Sequence, residues 1–165
     1  MEPLPKIHAD IENRVIAIRE AHPQWLCGKG CAGCCQRLAD VPQLTAPEWA
    51  LLETGLAALP KAQQAEIGGK MEALSALPAP PVVCPLLDPA SGTCRVYAQR
   101  PVACRTYGFY RQRDFGLYCQ DIESLVAAAA LDDVVWGNHD AVDLRLAALG
   151  ESRALTAWFS EWKKV

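Results

Sequence analysis

The chain has 165 residues, 51% of them hydrophobic, enough to bury a core as one domain over residues 1–165. Its 16 basic and 19 acidic residues leave a net charge of −3, which offers nucleic acid or a membrane surface no global field. No apolar run approaches the roughly 18 residues of a membrane span, and the N-terminus lacks the basic start and apolar stretch of a secretory signal, so a soluble cytoplasmic protein is expected.

In chain order, Leu4, Ile7, Ile11, Val15 and Ile18 recur at helical spacing and predict an amphipathic helix over 4–22, stopped by Pro23. His8 lies beside that stripe and reads as a surface residue. The stretch LCGKGCAGCCQR, 26–37, then places four cysteines in nine positions, with glycines that favour tight turns. Thr45-Ala-Pro-Glu48 carries the elements of a capping box. It opens a helix whose inner face is Trp49, Leu52, Leu56 and Leu59. Residues 61–77 predict a third helix with Ile67, Met71, Leu74 and Leu77 inward. Gly68 and Gly69 weaken it by up to about 1 kcal/mol each.

Residues 77–94 hold five prolines and predict an irregular, extended connection pinned by some other interaction. After Cys119 helices are expected at 121–131, roughly 133–149 and 152–163. The last presents Leu155, Trp158, Phe159 and Trp162, with Lys163 and Lys164 suiting its C-terminus. The expected fold is mainly α: a single domain of helices around an irregular, cysteine-rich metal-binding centre, approximately residues 25–120.

Eight cysteines in a reducing compartment point to metal rather than to disulfides. Thiolates are soft ligands for zinc, copper(I) and iron–sulfur centres. Cys27, Cys31 and Cys34 stand in C-x3-C-x2-C spacing, the spacing of radical-SAM clusters. That chemistry needs a large α/β barrel, and the helical pattern here argues against one. Neighbouring side chains diverge on a regular backbone, so Cys34 and Cys35 are not expected to share one ion. Cys84, Cys94, Cys104 and Cys119 are widely spaced and would close large loops around a metal.

Arg95, Arg100, Arg105, Arg111 and Arg113 crowd the same region. They read equally as partners that offset thiolate charge or as a solvated basic face. His22 is the histidine nearest the cysteines in sequence. His139 with Asp140 and Asp143 reads as a polar helix start rather than a hard-metal site. Tyr107, Phe109, Tyr110, Phe115 and Tyr118 read as a wall shielding a metal from water, with Trp25 beside Cys27 in the same role.

The segment CGKGCAGCC followed by CPLLDPASGTCRVYAQRPVACRTYG resembles the YkgJ-type cysteine-cluster family, the CxxCxxCC zinc- or iron-chelating domain. The resemblance rests on Cys84-Pro85-Leu86, Cys94, Tyr97, Arg100-Pro101, Cys104-Arg105 and Tyr107. It departs where three residues rather than two separate Cys27 from Cys31. A related block occurs in flagellin lysine methylases.

The resemblance implies bound zinc or iron but no agreed reaction. It ranks Cys31, Cys34, Cys94 and Cys104 first as ligands, then Cys27, Cys84, Cys35 and Cys119. Arg100 and Arg105 are expected to support them. The second group contains no short cysteine pair, which tilts the expected cofactor toward an iron–sulfur cluster, [4Fe–4S], with zinc the close alternative. No conventional enzyme motif is present. A metal-holding module, an iron–sulfur enzyme or accessory factor in protein or peptide modification, and a structural-zinc interaction module all stay open, as does a protein or peptide partner.

Overall fold

The computed structural model describes residues 3–77 and 79–162. Its helices are α1 (Leu4–Ala21), the single turn α2 (Gly33–Gln36), α3 (Ala46–Ala58), α4 (Lys61–Ala76), α5 (Val102–Thr106), α6 (Gln120–Ala127), α7 (His139–Ala147) and α8 (Leu155–Trp162). A 3-10 turn, Tyr97–Gln99, precedes α5. The strands are β1 (Gln43–Leu44), β2 (Leu87–Asp88), β3 (Thr93–Cys94), β4 (Tyr110–Gln112), β5 (Phe115–Leu117), β6 (Gly137–Asn138) and β7 (Arg153–Ala154). The chain is mainly α, and among the described residues no sheet exceeds three short strands. Lys163 and Lys164 lie outside the described residues.

The chain divides into two compact units. One comprises the residues up to Gly28 together with Val102–Gly150; the other comprises Lys29–Pro101 together with the residues from Glu151.

In the first unit α1 buries Leu4, Ile7, Ile11, Val15 and Ile18, the predicted stripe, against α5 and α7. Each such side chain contributes about 2 kcal/mol. The His22 N–H closes the helix on the Ile18 carbonyl, and Pro23 cannot extend it. Strand β4 pairs antiparallel with β5 and parallel with β6, with Tyr110 opposite Leu117 and Gly137.

The predicted helices of this unit are shorter than their patterns. α6 ends at Ala127, the first residue of the alanine run 127–130, whose remaining members offer no large apolar group to anchor a further turn, and Ala129 adopts a left-handed φ of 56°. α7 starts only at His139, because the Asn138 side chain caps it by accepting from the Ala141 N–H at 3.2 Å. The residues before it form turns and β6. Asp140 accepts the Arg113 N–H, so the polar helix start is the reading the contacts support.

In the second unit the capping box is present: Glu48 Oε2 accepts from both the Thr45 N–H and the Thr45 hydroxyl at 2.8 Å. α3 buries Trp49, Leu52 and Leu56. At Gly55 a Cβ would lie 2.7 Å from Gln99 Oε1 and 3.1 Å from Val96 Cγ1, so this glycine permits the close approach of the 3-10 turn. α4 runs through Gly68 and Gly69 because Gly68 shares the buried face with Ile67 and Met71. Burial outweighs propensity there. β1 pairs with β7, and the Trp158 indole, stacked on Trp49 at 6.2 Å, donates to the Leu44 carbonyl.

Candidate metal centre

The cysteine stretch is shaped by turns. Gly30 has φ +93°, a conformation other residues rarely adopt, and Cys31 beside it is exposed. The chain then makes the single turn α2, held by Gln36 N–H to the Ala32 carbonyl at 3.0 Å. Within this turn the Cys34 and Cys35 sulfurs lie 4.0 Å apart. Side-chain divergence on a regular backbone does not keep them separate. For a Zn–S bond of about 2.3 Å, two sulfurs of a tetrahedral site are roughly 3.8 Å apart.

Three long-range links bring the proline-rich segment to this turn. Leu38 and Val82 exchange backbone hydrogen bonds at 2.9 and 2.8 Å, and the Cys84 N–H donates to the Cys35 carbonyl at 2.7 Å. The β2–β3 hairpin follows, with Cys94 opposite Leu87 and the Arg95 N–H bonded to the Leu86 carbonyl. Its turn is closed by Gly92 at φ +68° and by Asp88, which accepts from Ser91 and from the Ala90 N–H. Hence the connection expected to be irregular is pinned by backbone bonds, a hairpin and the buried side chains of Val82, Leu86 and Leu87.

The thiols Cys34, Cys84 and Cys94 lie close enough to feel one another's charge. The Cys35 thiol, hydrogen-bonded to Cys34, together with burial and the charge of Cys35, holds the Cys34 thiol far above its ordinary range. Burial pushes Cys84 up to about 11. Burial also raises Cys94, opposed by the nearby Arg100 guanidinium. Crowded, partly buried thiols resist ionisation until a cation joins them, and a soft dication is the natural one. The donor set therefore fits zinc or iron. As they stand, no three His, Cys, Asp or Glu side chains among the described residues form a finished metal site, so closing four sulfurs on an ion would take side-chain rotation. None of the eight cysteines forms a disulfide.

The other three cysteines belong to the first unit. The Cys27 Sγ lies 3.7 Å from the Tyr107 carbonyl and packs on Gly108, where a Cβ would come within 2.6 Å of the sulfur. Gly108 has φ +93°, and its carbonyl accepts from the Trp25 indole at 3.2 Å. Cys104 is half-buried on α5, and Cys119 stands at the N-cap position of α6, where its backbone carbonyl accepts the Glu123 N–H. Sequence reasoning passed over Gly108. Its position directly after the aromatic Tyr107 in Cys-Arg-Thr-Tyr-Gly was the available signal.

The clustered arginines disperse. Arg95 pairs with Glu66 at 2.8 Å and Asp88 at 3.6 Å. Arg113 is exposed beside Asp140. Arg111 lies over the Trp136 ring. Arg105 is in the last turn of α5. The Arg100 guanidinium is near enough to Cys94 to oppose the rise that burial gives its thiol. It lies 3.7 Å over the Tyr97 ring and donates to the Tyr97 carbonyl at 2.9 Å. Of the expected aromatic wall, Phe115 is exposed, whereas Trp25 meets Phe109 and Trp136, and Trp136 meets Tyr118, within the first unit. His22 lies against Trp25 there, and His139 begins α7.

A family model described as "CxxCxxCC: Putative zinc- or iron-chelating domain" matches residues 26–122. No curated protein and no solved structure matches.

Proposed function

Because the chain belongs to the CxxCxxCC family of zinc- or iron-chelating domains, we propose that its metal is held in the second unit by the thiolates of Cys34, Cys35, Cys84 and Cys94. The observation that carries this reading is the 4.0 Å between the Cys34 and Cys35 sulfurs, with Cys84 hydrogen-bonded through its backbone to Cys35. Four thiolates, once rotated onto one ion, would suit zinc or iron. Zinc there would supply a closed cross-link without redox chemistry. Cys84 and Cys94 flank a hairpin while Cys34 and Cys35 sit on a turn, so the ion would tie two segments far apart in sequence. Its binding free energy is then folding free energy. Arg100 offsets part of the thiolate charge. The chain acts as a metal-holding module, and a reducing compartment such as the cytoplasm suits cysteines that form no disulfide. The ligand roles expected for Cys27, Cys31, Cys104 and Cys119, and the supporting role of Arg105, rest on the family resemblance.

An iron–sulfur cluster is the second reading. Nine, nine and fourteen residues separate Cys84, Cys94, Cys104 and Cys119, leaving no second short pair of the kind zinc sites commonly use. Anaerobic purification with metal and sulfide analysis and an optical spectrum tests both. A colourless protein with stoichiometric zinc, or an iron protein without sulfide, supports the single ion. A brown, sulfide-containing protein supports the cluster. Cys34→Ser and Cys84→Ser should each lose stoichiometric metal, and full metal content in both variants would overturn the assignment.

A further inference from the structure

Arg111 lies in the middle strand of the first unit's three-stranded sheet, and the metal reading does not use it. On β4 it stands opposite Gly116 of β5 and Asn138 of β6, while its neighbour Tyr110 is buried. Alternation along the strand turns Arg111 to the other face of the sheet, where it is half-buried. Its guanidinium lies 5.2 Å from the centre of the Trp136 ring, and Nη2 donates to the Tyr118 hydroxyl at 3.4 Å. The Trp136 and Tyr118 rings themselves meet at 5.0 Å. Gly116 makes room for this arrangement, because a Cβ there would overlap the Tyr118 ring and its hydroxyl.

This guanidinium is underused. Its one hydrogen bond is near the long limit for such bonds. Nε is buried without a partner, whereas Nη1 makes no bond and opens to solvent, and no carboxylate among the described residues pairs with Arg111. A cation partly withdrawn from water without a counter-charge is costly. The Nη1–Nη2 edge is a planar fork that matches the two oxygens of a carboxylate, and binding there does not need the closed Nε. Tyr118 adds a further donor, since a hydroxyl that accepts from Nη2 keeps its own proton to give. One guanidinium balances one carboxylate, whereas a phosphate dianion would retain net negative charge.

The geometry points to a binding site for a small carboxylate on this sheet face, held by the amino edge of Arg111 and the Tyr118 hydroxyl. The site does not depend on the metal assignment. Benzoate and its neutral counterpart benzamide, titrated into the metal-loaded protein at fixed ionic strength and followed by NMR shifts of the Trp136 indole, test it. Benzoate should bind about tenfold more tightly than benzamide, the effect of roughly one charge-assisted hydrogen bond. Arg111→Gln should bring the two affinities to within about a factor of two. Arg111→Lys keeps the charge but loses the fork, and its preference should fall between. Tyr118→Phe keeps the ring and should weaken benzoate about threefold. Equal binding of benzoate and benzamide to the wild-type protein, an unchanged preference in Arg111→Gln, or wild-type benzoate affinity in Tyr118→Phe would overturn the proposal. So would inorganic phosphate binding more tightly than benzoate.

Discussion

The two units surround their thiols differently. In the second, Cys34, Cys35, Cys84 and Cys94 gather on a turn and a hairpin joined by backbone hydrogen bonds. In the first, Cys27 rests on a glycine backbone beside a row of aromatic rings. Backbone hydrogen bonds and apolar packing contribute to order in both units. Sulfurs pressed together, by contrast, carry a cost that grows as they ionise, and a cation relieves it. The contrast implies that metal dependence is concentrated in the second unit.

Metal removal should give the largest effect. A structural site of this kind contributes several kcal/mol or more. Chelation should lower hydrogen-exchange protection around α2 and the β2–β3 hairpin, with the Cys84 amide among the slowest there because it is bonded to Cys35. Equal loss across Val102–Gly150 would break the comparison.

The metal-free protein should next reveal its buried thiol in alkali. Cys84 has an ordinary value of 9.0, raised to about 11 by burial. The folded state therefore retains a proton that the unfolded state loses. Its contribution is full below about pH 9 and falls as pH rises toward 11, by about 3 kcal/mol in all. Cys34 shifts in the same direction. Denaturant titrations across this range should show the decline in apo but not in metal-loaded protein, and a flat apo profile would contradict the burial argument.

In the first unit, Gly108→Ala forces a side chain into positive φ and against Cys27. A loss of about 2 kcal/mol is expected. Faster alkylation of Cys27, read by peptide mass spectrometry, should accompany it while second-unit metal is retained. Unchanged stability and alkylation would show that Gly108 does not shape the Cys27 site.

The smallest effect belongs to Arg100→Lys. Charge remains, but the planar stack on Tyr97 and the directed bond to its carbonyl are weakened. The metal-loaded protein should lose about 1 kcal/mol with unchanged metal stoichiometry. A wild-type melting curve would argue that Arg100 is only a surface cation.

Much of the helical content was legible because its causes are local. The α1 stripe, the Thr45–Glu48 cap and the α3 face are repeats and pairings within a few residues. Family membership was legible for a similar reason, since the cysteine, arginine and proline order is itself the signal. Other features depended on partners distant in sequence. α7 began later than its apolar pattern because Asn138 caps it, and the arginine cluster scattered because Glu66, Asp88 and Trp136 draw its members to different places.

The sequence by itself determined the helix-rich class, the thiol chemistry and the glycine and proline positions that break regular structure. Tertiary structure alone decided which cysteines share a neighbourhood. That grouping depends on the Leu38–Val82 pairing and the Cys84–Cys35 hydrogen bond. It also set Arg111 against Trp136, through the parallel pairing of β4 with β6. Periodicity and capping are short-range, whereas a site made from distant side chains exists only after backbone pairing and burial have brought them together.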